Sequence, residues 1–247
     1  MHREFRAPEW DTLSMDYKNP FLELEPLETE VAIVDDALTM MKDVGAIPNI
    51  DYPHDLLLAH RKAVAEEFEI PWTAITPRMQ RFIYALNAIK KPANMIAAGV
   101  FCGNTFISNA GAGVGPGACY TAENLIGVEI KPEEAERAER NVRKIDPTGV
   151  ARVVAADGIE VCRDFEKPID LLYLDADGTP AQGKGVYLNI LEACYDEMPK
   201  GSLVLAHNSY NSAEKLKHYL AYVRDDANFS ASVNVLVDGE GLEVSVK

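Results

Sequence analysis

From about Asn94 onward, short apolar runs alternate with helix-like stretches, and this alternation narrows the fold more than any other feature of the chain. MIAAGV (95–100), LIGVEI (125–130), ARVVAA (151–156), IDLLYLD (169–175) and GSLVLAH (201–207) read as strands. Between them lie a short helical piece near Thr105 to Ala110, PEEAERAERNVRKI opened by Pro132, GIEVCRDF, and a helix around Tyr187 to Asp196. Short buried strands separated by helices imply a parallel sheet covered on both faces. FSASVNVLVD and GLEVSVK flank the turn GEG and predict an antiparallel hairpin closing the sheet edge. The expected fold is α/β, a doubly wound, mostly parallel, seven-stranded sheet with that hairpin at its C-terminal end.

The first ninety residues differ. Two helical patterns stand out, roughly Glu28 to Lys42 and His54 to Phe68, with Pro48 and Pro53 between them. Glu69 to Arg78 reads as a loop, and no strand signal is present. The segment cannot easily form its own core. Residues 1–70 are therefore expected to be a helical extension, serving as a lid over a ligand crevice or a dimer contact, and residues 71–247 the ligand-binding domain.

Charge narrows the partners. With 24 Lys plus Arg against 39 Asp plus Glu, the net charge is −15. Such a surface repels phosphate backbones and anionic membranes, so nucleic acid and membrane are excluded as expected partners and a small molecule is favoured. No apolar run approaches the roughly 20 residues of a membrane span, and the start of the chain does not read as a secretory signal. Cys102, Cys119, Cys162 and Cys194 form no CxxC pair, as reduced thiols of a cytoplasmic protein would.

Polar residues and glycines gather at the expected strand ends. Gly99-Val100-Phe101-Cys102-Gly103 links the first strand to a helix, where glycines allow close backbone approach and amides can face a ligand. The spacing is GxxxG rather than GxGxxG, which weakens a dinucleotide reading. Glu129 ends the second strand, where a carboxylate can accept ribose hydroxyls, and Ile130 beside it is assigned to the same site. Asp157 and Gly158 end the third, where an adenine edge would lie; Asp175 and Asp177 end the fourth. Ligands of open α/β sheets bind beyond these ends. Taken singly, each such residue is more often a turn or cap residue.

GVFCGNT (99–105) resembles the cofactor turn of the catechol and caffeoyl-CoA O-methyltransferases. LLYLDADG (171–178) resembles their fourth-strand signature, LVLAHNS (203–209) their fifth-strand metal motif, LAYVR (220–224) their late helix and DGEGLEVSVK their closing hairpin. The likeness runs from about Trp72 to Lys247. It implies a Rossmann-like methyltransferase binding S-adenosylmethionine, with Gly99, Phe101, Gly103 and Thr105 around its methionine part and Glu129 on its ribose. Asp157 and Gly158 would lie near the adenine, Asp175 near the transferred methyl. It also implies a divalent cation on Asp175 and the next strand's His207 and Asn208.

Three positions depart from the family. His207 stands where an aspartate is usual, Gly178 replaces a lysine, and Ala97 occupies a place often acidic. His207 is thus a metal ligand, a general base or a structural residue, and Lys184 in TPAQGKG is a candidate replacement for the missing lysine. The expected activity is O-methylation of a small hydroxylated acceptor, aromatic ones included, by a homodimer. A nicotinamide-dependent oxidoreductase and a non-catalytic cofactor-binding fold are the alternatives.

Overall fold

A computed structural model describes residues 2–247. Eight strands form one sheet: β1 (His2–Arg6), β2 (Asn94–Ala98), β3 (Asn124–Glu129), β4 (Ala151–Ala155), β5 (Leu171–Leu174), β6 (Leu203–His207), β7 (Ala231–Leu236) and β8 (Leu242–Val246). Their order is β1-β7-β8-β6-β5-β2-β3-β4, with β8 antiparallel to both its neighbours and every other pair parallel. The doubly wound sheet and C-terminal hairpin are as the sequence predicts.

Both faces of the sheet are buried, which is why its strands read as continuous apolar runs. Met95 and Ala97 of β2 face one core, with Leu171, Tyr173, Leu203 and Leu205. Ile96 and Ala98 face the other, with Leu172, Leu174, Val204 and Ala206. The second face is covered by α6 (Gly158–Asp164), α7 (Val186–Cys194) and α8 (Ala213–Val223). The first is covered by α3 (Pro77–Lys90), α4 (Asn104–Ala110) and α5 (Pro132–Ile145). Of these, α5 matches its sequence bounds because Pro132 starts it, Glu133 and Glu134 suit the positive end of its dipole, and Arg143 and Lys144 suit the other.

Two sequence expectations need correction. The first ninety residues do contain a strand: β1 lies at the sheet edge, parallel to β7, so the sheet has eight strands and the hairpin does not close it. HREFR gives no apolar pattern because an edge strand is held by backbone pairing and leaves its side chains in solvent. The loop expected over Glu69 to Arg78 ends at Thr76, which caps α3 by accepting the Met79 N–H at 3.2 Å. Helix α3 is buried nearly all round, so no amphipathic period marks it.

The N-terminal helices α1 (Leu27–Asp43) and α2 (His54–Glu67) form an outer layer. Helix α1 buries Ile33, Val34, Ala37, Leu38 and Met41, spaced along one stripe, in the same core as the first sheet face. On α2, His60 is fully buried, and burial pushes its pKa down to about 4. A histidine buried neutral stabilises the fold above its unfolded pKa near 6.5, and that stability is lost as pH falls toward the folded value. We expect the loss between pH 6.5 and 4 to be on the order of 3 kcal/mol. Ring nitrogen shifts showing His60 still neutral at pH 5 would support this; protonation near pH 6.5 in the folded protein would refute it.

Candidate active site

The chain runs from β2 outward to β3 and β4, then returns to place β5 on the other side of β2. A crevice opens at such a reversal, beyond the carboxyl ends of the two strands. Gly99 follows β2 and Asp175 follows β5, and both line a cavity of about 290 Å³ there. Gly99 is required by this geometry. Its φ is +82°, and a Cβ would lie 2.4 Å from the backbone N and Cα of Ala176. The glycine therefore serves the close approach of two strand ends.

Phe101, Thr105, Lys184, His207 and Asn208 line the same cavity. So do residues that the sequence does not single out: Tyr17, Asn104, Asn211 and Glu240 among them. Trp72 packs against Phe101 with ring centroids 4.9 Å apart and planes tilted by 34°, forming an aromatic wall. Phe101 itself has φ 49°, a region disfavoured for a bulky side chain. Its N–H donates to Glu129 Oε2 at 2.9 Å, while Lys131 N–H donates to Oε1 at 3.1 Å. Glu129 thus fixes the turn's shape, and a carboxylate with roughly four acceptor sites can still receive hydroxyl donors.

Gly103, Glu129, Ile130, Asp157 and Gly158 do not line this cavity. Gly103 has φ +89°, and a Cβ there would stand 3.3 Å from Ala138 Cβ of α5, so the turn lies tightly against that helix. Asp157 caps α6, accepting the Ile159 N–H at 2.7 Å. Ile130 is 62% exposed, a bare apolar face beside Glu129.

At the β5 end, three side chains converge. Lys184 Nζ donates to Asp175 Oδ1 and to the Asp175 carbonyl oxygen, each at 2.8 Å. His207 Nδ1 stands 3.3 Å from Asp175 Oδ2, an ion-pair distance without the alignment of a hydrogen bond. Burial works against ionising Asp175, but Lys184 and His207 outweigh it and hold its carboxyl below the usual range. Burial likewise opposes the charged forms of Lys184 and His207, and Asp175 raises the pKa of both. His207 Nε2 is buried and has no hydrogen-bond partner among the described residues. An orphaned polar atom lining a cavity is a candidate ligand contact.

The donor set does not fit the divalent cation that the sequence resemblance implies. One oxygen of Asp175 holds an ammonium and the other faces imidazole, while Asn208 Nδ2 donates to Glu240 Oε2 at 2.6 Å. No cluster of three or more His, Cys, Asp or Glu side chains among the described residues could hold a metal ion.

A larger cavity, about 360 Å³, lies under α1 and α2 and is lined by Phe21, Leu27, Leu57 and Arg61 among others. Its acidic Glu30 is already paired to Arg61 and Arg81. The smaller cavity carries the convergent polar groups and the switch-point geometry, so it is the candidate site.

Residues 96–209, which span β2 to the end of β6, match the family model described as "Methyltransferase domain". Over that segment the chain is similar to methyltransferase domains. Solved structures share its fold at low identity. A methyltransferase from Podospora anserina, PaMTH1, with SAH bound, is 13% identical with a TM-score of 0.61, covering 92% of this chain and 100% of that one. An O-methyltransferase from Bacillus cereus in complex with SAH is 15% identical with a TM-score of 0.56, covering 85% and 96%. The O-methyltransferase TomG from Streptomyces achromogenes, in complex with SAM, is 14% identical with a TM-score of 0.55, covering 86% and 95%. No curated protein sequence is significantly similar to this chain. No described helix is long and apolar enough to cross a membrane.

Proposed function

We propose that this chain is a methyltransferase that binds S-adenosylmethionine and methylates a hydroxyl oxygen of a small acceptor, aromatic ones included. The observation that carries this reading is the switch-point cavity, which joins the glycine turn after β2 to the Asp175–Lys184–His207 cluster after β5. The bound cofactor supplies a sulfonium methyl, whose C–S bond breaks, leaving its electron pair on sulfur, as an acceptor oxygen lone pair takes the carbon.

The chain's own residues do the rest. Glu129 stands to receive ribose hydroxyls, with the exposed face of Ile130 available to a flat base and Asp157 and Gly158 one strand end further on. Gly99, Phe101 and Thr105 border the space for the methionine part, and Gly103 shapes the turn from behind. Trp72 and Phe101 give a planar acceptor an aromatic surface. His207 Nε2 is the free position that takes the hydroxyl proton, and the Asp175 carboxylate, 3.3 Å from Nδ1, stabilises the imidazolium that forms.

Calorimetry with S-adenosylmethionine, S-adenosylhomocysteine and NAD tests the reading: the first two should bind and NAD should not. Turnover against a panel of phenols then tests catalysis. Glu129→Ala should weaken S-adenosylhomocysteine about tenfold to a hundredfold, the worth of charge-assisted hydrogen bonds of roughly 1.5–3 kcal/mol. An affinity within twofold of the parent would leave Glu129 only its part in holding Phe101.

The N-terminal 70 residues belong to this proposal as the cover of the acceptor side and a homodimer contact. Tyr17 lines the cavity, and Phe21, Leu22, Leu27 and Leu58 are exposed on the outer layer. Light scattering on the purified protein should give a dimer mass.

A further inference from the structure

Lys184 reaches Asp175 because residues 178–183 close into a compact loop. The Gly178 N–H donates to Gly183 O at 3.0 Å, and the N–H groups of Gln182 and Gly183 both donate to Thr179 O at 2.9 and 2.8 Å. The loop returns the chain to the β5 end, where the lysine side chain is only 14% exposed. Its ammonium lies 2.8 Å from Asp175 Oδ1 and 3.6 Å from Asp177 Oδ2.

A divalent ion would have to bind the Asp175 oxygen at roughly 2.0–2.6 Å. The ammonium stands in that same space, and two cations sharing one carboxylate would repel. The ammonium is seated on Asp175 at 2.8 Å, with the carboxylate of Asp177 3.6 Å away on its outer side. The Asp175 oxygen that a dication would need is therefore already taken by a cation.

We propose that Lys184 is the resident cation of this site, taking the charge-compensating place of a metal, so that the protein needs no divalent ion and gains a metal site only when Lys184 is lost. The inference deepens the methyltransferase reading and rests on it for its chemistry. As the acceptor oxygen gives up its proton and gains negative charge, a fixed ammonium in a sheltered cleft stabilises it without reorganisation. An ammonium is a point charge on a flexible stem. A chelated metal grips two vicinal oxygens, whereas a point charge serves one. Acceptors with a single hydroxyl should therefore be used as readily as catechols.

The test is Mn²⁺ binding, followed by the loss of the free-ion paramagnetic resonance signal, on wild type, Lys184→Arg and Lys184→Ala. Circular dichroism checks that each variant is folded. Wild type and Lys184→Arg should leave the signal unchanged, whereas Lys184→Ala should bind about one Mn²⁺, and Asp175→Ala in that background should abolish it. Mn²⁺ bound by wild type, or by none of the proteins, overturns the proposal. Failure of S-adenosylhomocysteine to bind wild type would instead remove the methyltransferase reading, a result independent of the Mn²⁺ comparison. In turnover, a chelator should leave wild type unaffected, and a requirement for two adjacent hydroxyls would count against Lys184 as the cation.

Discussion

Glu30→Ala is expected to destabilise the protein by about 3–5 kcal/mol, the cost of leaving a buried charge without its partner. Glu30 Oε1 accepts Arg81 Nε at 2.5 Å and lies 2.8 Å from Arg61 Nη2, and Oε2 accepts Arg61 Nη1 at 3.1 Å. The Arg81 side chain is 1% exposed, so water cannot replace the lost carboxylate. The group also carries a pH signature. Burial disfavours the Glu30 carboxylate, but Arg61 and Arg81 overcome that and lower its pKa below the ordinary 4.5. A depressed carboxyl stabilises the fold above its unfolded pKa, and that contribution is lost as pH falls through the folded one. Urea unfolding at pH 7 should show the full loss in Glu30→Ala, and the variant should lack part of the wild-type decline below pH 4.5. A loss under 1 kcal/mol would mean that the arginines find other partners.

The second large effect is at Gly99. Alanine there meets two penalties: a left-handed φ of +82° and a Cβ 2.4 Å from main-chain atoms of Ala176. Ala176 lies just beyond the end of β5, and a clash with main chain cannot be relieved by turning a side chain, so we expect about 4 kcal/mol or more, at the severe end for one substitution. Gly45 separates the two causes. Its φ is +75° but nothing lies within 4 Å of its Cβ position, so Gly45→Ala should cost only about 1–2 kcal/mol. Thermal unfolding of both variants decides the matter; equal losses would attribute all of Gly99's effect to φ and none to the approach of the strand ends.

What the sequence makes legible follows from how each element is buried. The five strands from β2 to β6 are apolar on both faces, and α5 has a proline start and opposed charges at its ends. Those are local signals. Strand β1 has none, because its partner is 230 residues away and its side chains face solvent. Helix α3 has none, because burial on all sides erases the polar stripe that would mark it. The site divides in the same way. Asp175, His207 and Asn208 are visible as polar endings to apolar strands. Trp72, Tyr17 and Glu240 come from segments joined to the cavity only by the folded chain. Lys184 stands nine residues beyond Asp175, and only the closed loop of 178–183 makes them neighbours. Gly99 and Gly103 show the limit of motif reading. Both sit in the turn that invites a ligand, yet both have positive φ and close protein neighbours, the Ala176 backbone at 2.4 Å for one and Ala138 Cβ at 3.3 Å for the other.

The pairing of β1 with β7 also has a temporal side. His2 is in register with Ser232 and Arg6 with Leu236, so the first strand has no partner until residues 231–236 have been made. At ribosomal speeds of about 5–20 residues per second, that wait is roughly 10 to 50 s. An unpaired strand left open so long invites association with other chains, and charged edges are the usual protection. HREFR carries a charge at three of its five positions even with His2 neutral. The composition that hides β1 from a reader of the sequence is also what keeps it solvated on the ribosome until β7 emerges.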